Sequence, residues 1–168
     1  MRTPASASPV GDRRGITLVE VIVAVGIITV GLSALLAAVP FASYGTREGS
    51  QLSTATFLAN ERLEQVRNAR WESAPRPVDE LGVSPAPTSA PKSGAATTFA
   101  DEAALPAPYG DYARAVRIID CGGGGGCSGV AKADLRQVTI TVTYRPMTGV
   151  GGAGIAKAAA VTTLIAKR

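Results

Sequence analysis

The stretch Arg13-Arg14-Gly15-Ile16-Thr17-Leu18-Val19-Glu20 decides how this chain is read. Before it lies a leader holding Pro4, Pro9 and three arginines; after it an apolar run continues from Ile16 to Ala42 with a single charge, Glu20. As a helix those 27 residues measure about 40 Å, enough to span a bilayer. A secretory signal would carry a shorter apolar core followed by a small-residue cleavage site, so retention in a membrane fits better than release. The basic residues ahead of the run favour a cytoplasmic N-terminus and place everything after Ala42 on the other side. A carboxylate in the first turns of such a helix costs about 2.5 kcal/mol on insertion scales unless something pairs with it. Glu20 therefore has two readings: an acid tolerated near the interface of an ordinary signal anchor, or a charge whose partner comes from a neighbouring subunit.

Arg-Arg-Gly, then Ile-Thr-Leu-Val-Glu, then a long Val/Ile/Ala/Gly/Leu stretch resembles the N-terminal signature of type IV pilins and of the pseudopilins of type II secretion. The resemblance implies a prepilin leader over residues 1–15, cut by a membrane aspartyl peptidase between Gly15 and Ile16, with Ile16 becoming the N-methylated residue. It implies that Glu20 serves assembly by pairing with a neighbour's N-terminal amine. Opposite charges attract strongly in a low-dielectric medium and neither is easily left unpaired, so that pair would set subunit register. The leader is somewhat long for the family, which leaves the start codon open. The implied partners are other pilins or pseudopilins, the prepilin peptidase and an inner-membrane assembly platform. The implied location is a single pass through the inner membrane with an extracytoplasmic head, then a pilus or pseudopilus at the periplasm or cell surface.

Composition bounds the rest. A chain of 168 residues with 46% apolar content permits one modest head beside a membrane helix. The formal charge of +4 includes a net +2 from the leader, whose three arginines stand against Asp12, so +2 remains and carries no argument for nucleic acid. The absence of histidine removes the usual general base and the commonest metal ligand.

Within the apolar run, Ala24, Gly26 and Gly31 offer small surfaces for close helix packing among side chains greasy on every side. Pro40 either bends the helix or ends it, and Gly45 and Gly49 weaken the segment beyond it. The run 16–42 is read as transmembrane or filament-core helix. Residues 43–71 are read as its amphipathic outer half, because Leu52, Ala55, Ala59, Leu63 and Val66 recur at spacings of three and four. Glu61, Arg62, Glu64, Arg67 and Arg70 are assigned to a solvated face, with Glu64 and Arg67 in pairing distance. Ala59-Asn60-Glu61-Arg62-Leu63-Glu64-Gln65-Val66-Arg67 also resembles the corresponding segment of minor pilins and of one minor pseudopilin class.

Residues 72–111 read as a Pro-rich connecting loop without sustained periodicity, and the stretch Ser84 to Thr98 suits disorder as well as order. Residues 112–168 read as an antiparallel sheet with strands at Tyr112 to Asp120, Leu135 to Arg145 and Lys157 to Ala166. In the middle one, Val138, Ile140, Val142 and Tyr144 alternate with Thr139, Thr141, Thr143 and Arg145, giving one face to the helix and one to solvent. Pro146 ends it, and the glycine-rich Thr148 to Gly154 turns into the last strand. The fold class expected is α+β and type IV pilin-like, a long N-terminal helix packed on a small antiparallel sheet.

Cys121 and Cys127 flank five glycines, Gly122 to Gly126. A phosphate loop lacks its Gly-Lys-Ser or Gly-Lys-Thr, and two thiols alone cannot complete a tetrahedral metal shell. A disulfide in an oxidising compartment is the reading favoured, worth about 2 kcal/mol at most for so short a loop. No constellation suggests catalysis, so the chain is not read as an enzyme and no cofactor is expected. Ser43, Ser50, Ser53 and Ser128 lack a base, while Asp79 with Glu80 and Asp101 with Glu102 read as solvated loop acids. No clustered acidic loop suggests calcium.

The function expected is a structural minor pilin of a type IV pilus, with a minor pseudopilin of type II secretion as the alternative. From another class comes a filament-tip module binding a ligand or DNA, with Arg70, Arg76, Arg114 and Arg117 as phosphate contacts.

Overall fold

A computed structural model of the chain describes residues 15–73, 75, 77–122, 127, 129–146 and 155–168. Residues 1–14 of the expected leader, Arg76, the glycines 123–126, Ser128 and the expected turn 148–154 lie outside the described residues. The chain divides into two compact units, Met1–Ser43 and Tyr44–Arg168.

Helix α1 spans Leu18–Asn68 and carries Pro40 inside it. Of the two readings of Pro40, a plain helix end is therefore excluded. A proline removes one backbone donor, but helix-forming residues follow on its C-terminal side and the ladder resumes. In the first unit the large apolar side chains from Ile16 to Val39 are exposed, Ile16 by 77% and Val30 by 70%. The helix is long and apolar enough to cross a membrane by length and composition. Its few hydroxyls are satisfied locally: Thr29 Oγ1 donates to the Val25 carbonyl at 2.7 Å and Ser33 Oγ to Val30 at 2.8 Å, so neither presents an unmet polar group to an apolar surrounding.

In the second unit α1 ends at Asn68, before the expected boundary at Trp71. The Ala69 N–H closes onto the Val66 carbonyl at 3.2 Å, and Trp71–Glu72 leaves as strand β1, paired antiparallel with β2, Val78–Asp79. The connecting region holds a second short ladder, β3 (Lys92–Ser93) with β4 (Ala96–Thr97), inside the stretch weighed for disorder. Its apolar residues are structural: Leu81, Phe99 and Leu105 join the core, and Leu81 is fully buried. Residues 72–111 are thus less irregular than their composition suggests. They are held by pairing with distant partners, which leaves no local periodicity to read.

Strands β5 (Tyr112–Asp120), β6 (Leu135–Tyr144) and β7 (Lys157–Ala166) form an antiparallel meander in the order β5-β6-β7. The register sets Val116 opposite Ile140 and Ile140 opposite Val161. Because side chains alternate across a strand, Val138, Ile140, Val142 and Tyr144 of β6 are buried while Thr139, Thr141 and Thr143 take the other face. The outer edge of β5 is covered by the connecting region: Glu102 and Arg114 exchange backbone bonds at 2.9 and 2.8 Å, and the Ser84 N–H donates to the Ile118 carbonyl at 2.8 Å. An ion pair between Lys157 and Glu48 ties β7 to α1.

The helix contributes Ala55, Leu58, Ala59, Leu63 and Val66 to the core, all within 5% of full burial. Leu52, expected in this stripe, is 48% exposed, and Leu58 takes part instead. This architecture, one long N-terminal helix followed by small antiparallel sheets, is α+β and consistent with the pilin-like fold.

Gly82 marks a tight turn. Its φ is +69°, and a Cβ there would stand 2.7 Å from the Lys92 carbonyl carbon and oxygen. Gly82→Ala is therefore expected to cost more than about 1 kcal/mol, read as a lowered midpoint in urea with unchanged slope. An unchanged midpoint would show that the Val83–Lys92 pairing beside it is dispensable.

Candidate functional site

Gly15, Ile16 and Thr17 precede the helix, whose first residue is Leu18. The Glu20 N–H is shared between two acceptors on Thr17, the carbonyl at 3.1 Å and Oγ1 at 3.3 Å, and the Val21 N–H donates to the same carbonyl at 3.3 Å. Thr17 is thus the N-cap, satisfying a donor that a helix start leaves without an intrahelical partner. Thr-x-x-Glu is the spacing of a capping box, a signal present in the sequence that the pattern of apolar residues overshadows. Glu20 is the third helical residue, where its charge suits the positive end of the helix dipole. Its side chain is exposed, and among the described residues no hydrogen bond or ion pair reaches its carboxylate.

Gly15 contrasts with Gly82. A Cβ added at Gly15 meets nothing within 4 Å, and its φ lies outside the left-handed range. Neither space nor backbone conformation in this chain requires glycine there.

Residues 11–36 match the prokaryotic N-terminal methylation motif. This is the type IV prepilin signature, and Gly15, Ile16, Thr17 and Glu20 all fall within it. No curated protein and no solved structure matches the chain. The methylation motif covers the residues just before α1 and the first part of that helix, which is long and apolar enough to cross a membrane by length and composition.

Beyond the methylation motif, several charged groups of the second unit are engaged in arginine–carboxylate pairs. The acids read as solvated prove to be held. Asp79 takes a bidentate pair from Arg136 at 2.6 and 2.9 Å, and Arg136 lies over the Trp71 ring at 4.2 Å. Glu80 pairs with Arg70 at 2.6 Å, Asp101 with Arg117 at 2.6 and 2.8 Å, and Glu102 with Arg114 at 2.7 Å. Arg114 and Arg136 are among the buried residues, each 7% exposed. Arg62, assigned to a solvated face, packs over Phe99 at 5.3 Å, whereas Glu64 and Arg67 form the expected exposed pair at 2.9 Å. Of the four arginines considered as phosphate contacts, Arg70, Arg114 and Arg117 are neutralised by carboxylates, and Arg76 lies outside the described residues. Among the described residues, Arg70, Arg114 and Arg117 therefore offer no unpaired basic group to the DNA-binding alternative.

The pairs carry a pH dependence. The guanidinium hydrogen bonds hold Asp101 and Glu102 below their ordinary values of 3.8 and 4.5. Burial pushes Asp79 up, but the Arg136 pair and the Gly82 N–H outweigh it and bring it below 3.8. A carboxyl with a depressed folded pKa adds stability that is complete above its unfolded value and lost as pH falls through its folded value. Thermal stability of the second unit should therefore be level from pH 7 to about 5 and decline below about pH 4. A melting temperature that stays flat to pH 3, followed by Trp71 fluorescence, would contradict this.

Cys121 and Cys127 form a disulfide with Cα atoms 4.9 Å apart, both buried. It closes the connection between β5 and β6, where the Cys121 N–H donates to the Leu135 carbonyl at 3.0 Å.

Proposed function

We propose that this chain is a structural minor pilin of a type IV pilus, cut between Gly15 and Ile16, methylated at Ile16 and assembled through α1. The observation that carries the reading is the methylation motif lying over that junction. Three features support it: a glycine that the fold does not need at position 15, an exposed apolar helix, and Glu20 as the one charge in the apolar run 16–42. In assembly the exposed side chains from Ile16 to Val39 bury against neighbouring helices, and Glu20 accepts the methylated amine of an adjacent subunit. The prepilin peptidase and an inner-membrane platform are the partners this requires. The engaged polar groups of the second unit favour a structural part over a catalytic one.

N-terminal mass spectrometry of the protein from membranes and from sheared surface filaments tests the reading. A start at methylated Ile16 in the sheared fraction is the expected result. The same start confined to the cell envelope would move the chain to a minor pseudopilin of type II secretion. An intact leader would overturn both.

A further inference from the structure

We propose that Thr17 positions the leader for removal: by capping α1 it keeps the Gly15–Ile16 peptide outside the helix, with the Gly15 carbonyl open to attack. The inference rests on the processing reading above. In the hydrolysis, water's oxygen joins the Gly15 carbonyl carbon, the C–N bond to Ile16 breaks, and the Ile16 nitrogen leaves with a proton as an amine. A peptidase must reach that carbonyl from one side and accommodate the chain on either side of it. A carbonyl already accepting a helical hydrogen bond, inside a coiled backbone, offers neither.

Three observations place the bond outside the helix. Residues 15–17 are non-helical and exposed. Among the described residues no backbone hydrogen bond ends on the Gly15 or Ile16 carbonyl, and the first helical acceptor is Thr17. The Glu20 N–H, whose partner in a helix extended backwards would be the Ile16 carbonyl, is held by Thr17 instead.

Removing the hydroxyl changes this balance. Without the hydroxyl the Glu20 N–H keeps only the Thr17 carbonyl at 3.1 Å, and first-turn N–H groups at an apolar boundary gain by finding further acceptors. Winding one more turn towards the leader supplies them, Val19 N–H onto the Gly15 carbonyl and Glu20 N–H onto Ile16. Gly15 opposes that extension weakly, as glycine does in any helix, so the cap and the glycine act together. The scissile carbonyl would then be an acceptor in the ladder and would have to be unwound before cleavage.

The test is pulse-chase measurement of leader removal from the full-length chain in membranes containing the prepilin peptidase. Wild type, Thr17→Val and Thr17→Ser are compared. Valine keeps the branched shape without the hydroxyl, and serine keeps the hydroxyl without the methyl. Thr17→Val should be cut about five-fold more slowly, the factor matching loss of a typical N-cap, with unchanged membrane insertion. Thr17→Ser should stay within about two-fold of wild type. Equal rates for wild type and Thr17→Val would overturn the proposal while leaving the cleavage site intact. A serine variant as slow as valine would also overturn it, since the peptidase would then be reading threonine's shape. A wild-type leader that is never cut at Gly15–Ile16 would remove the processing reading and this inference with it.

Discussion

Glu20→Ala is expected to leave the chain in the membrane and all but remove it from filaments. The substitution relieves about 2.5 kcal/mol of insertion cost, so membrane yield should hold or rise. In the assembled state the reverse applies. The neighbour's Ile16 amine would sit in an apolar bundle without its counter-charge, and an uncompensated charge of that kind costs about 3 kcal/mol or more. At about 1.4 kcal/mol per tenfold, incorporation should fall more than a hundredfold by immunoblot of sheared filaments against the membrane pool. Wild-type incorporation of the variant would show that register is set by apolar packing alone and that Glu20 is merely tolerated.

Arg114→Ala should be the most damaging single truncation of the polar interior. Arg114 Nε donates to Glu102 at 2.7 Å, and Nη1 donates to the Leu58 carbonyl at 3.2 Å and approaches Glu61 at 3.5 Å. One side chain therefore joins β5, the connecting region and α1. Alanine leaves the Leu58 carbonyl without that donor and Glu102 without its main partner, while opening a void beside the core. Removing one member of a buried pair costs about 3–5 kcal/mol; Glu102 keeps 31% of its side-chain surface, so the lower end, about 3 kcal/mol, applies. The melting temperature of the full chain in detergent, followed by the single tryptophan, should drop by about 10 °C. Arg114→Met with Glu102→Leu should recover much of the loss, because it removes both charges and keeps apolar volume. A drop under about 2 °C for the alanine variant would mean that the guanidinium is held for geometry alone.

The legible parts of this chain are those whose signal is local. The β6 alternation of Val138, Ile140, Val142 and Tyr144 with threonines is a period of two that only a half-buried strand satisfies, and β5 and β7 are found at the bounds their sequences suggest. The methylation motif is legible because a charge pattern, a glycine and an apolar run sit close together along the chain. The hidden parts depend on contacts far along the chain. Asp79 and Arg136 are separated by 57 positions, and nothing near either indicates that one neutralises the other. The two-residue strands of the connecting region are too short to have a period. Leu52 fits the helical stripe but lies one turn before the core begins, whereas Leu58, three residues after Ala55, shares the stripe's face and joins the core. Thr17 does have a local signal, its capping-box spacing to Glu20, but the same glutamate carries a second meaning as a charge in an apolar run.

The two units also differ in what their stability depends on. The second carries its own core, so its unfolding free energy is a property of the chain in any aqueous buffer. The exposed apolar side chains from Ile16 to Val39 have no covering among the described residues, so their favourable state comes through association with lipid, detergent or other helices. By mass action that association strengthens with the logarithm of the concentration of whatever covers them. Diluting the amphiphile should therefore shift the state of the first unit continuously while the tryptophan signal of the second stays fixed, and moving from lipid into a filament becomes a competition between two solvents for one surface.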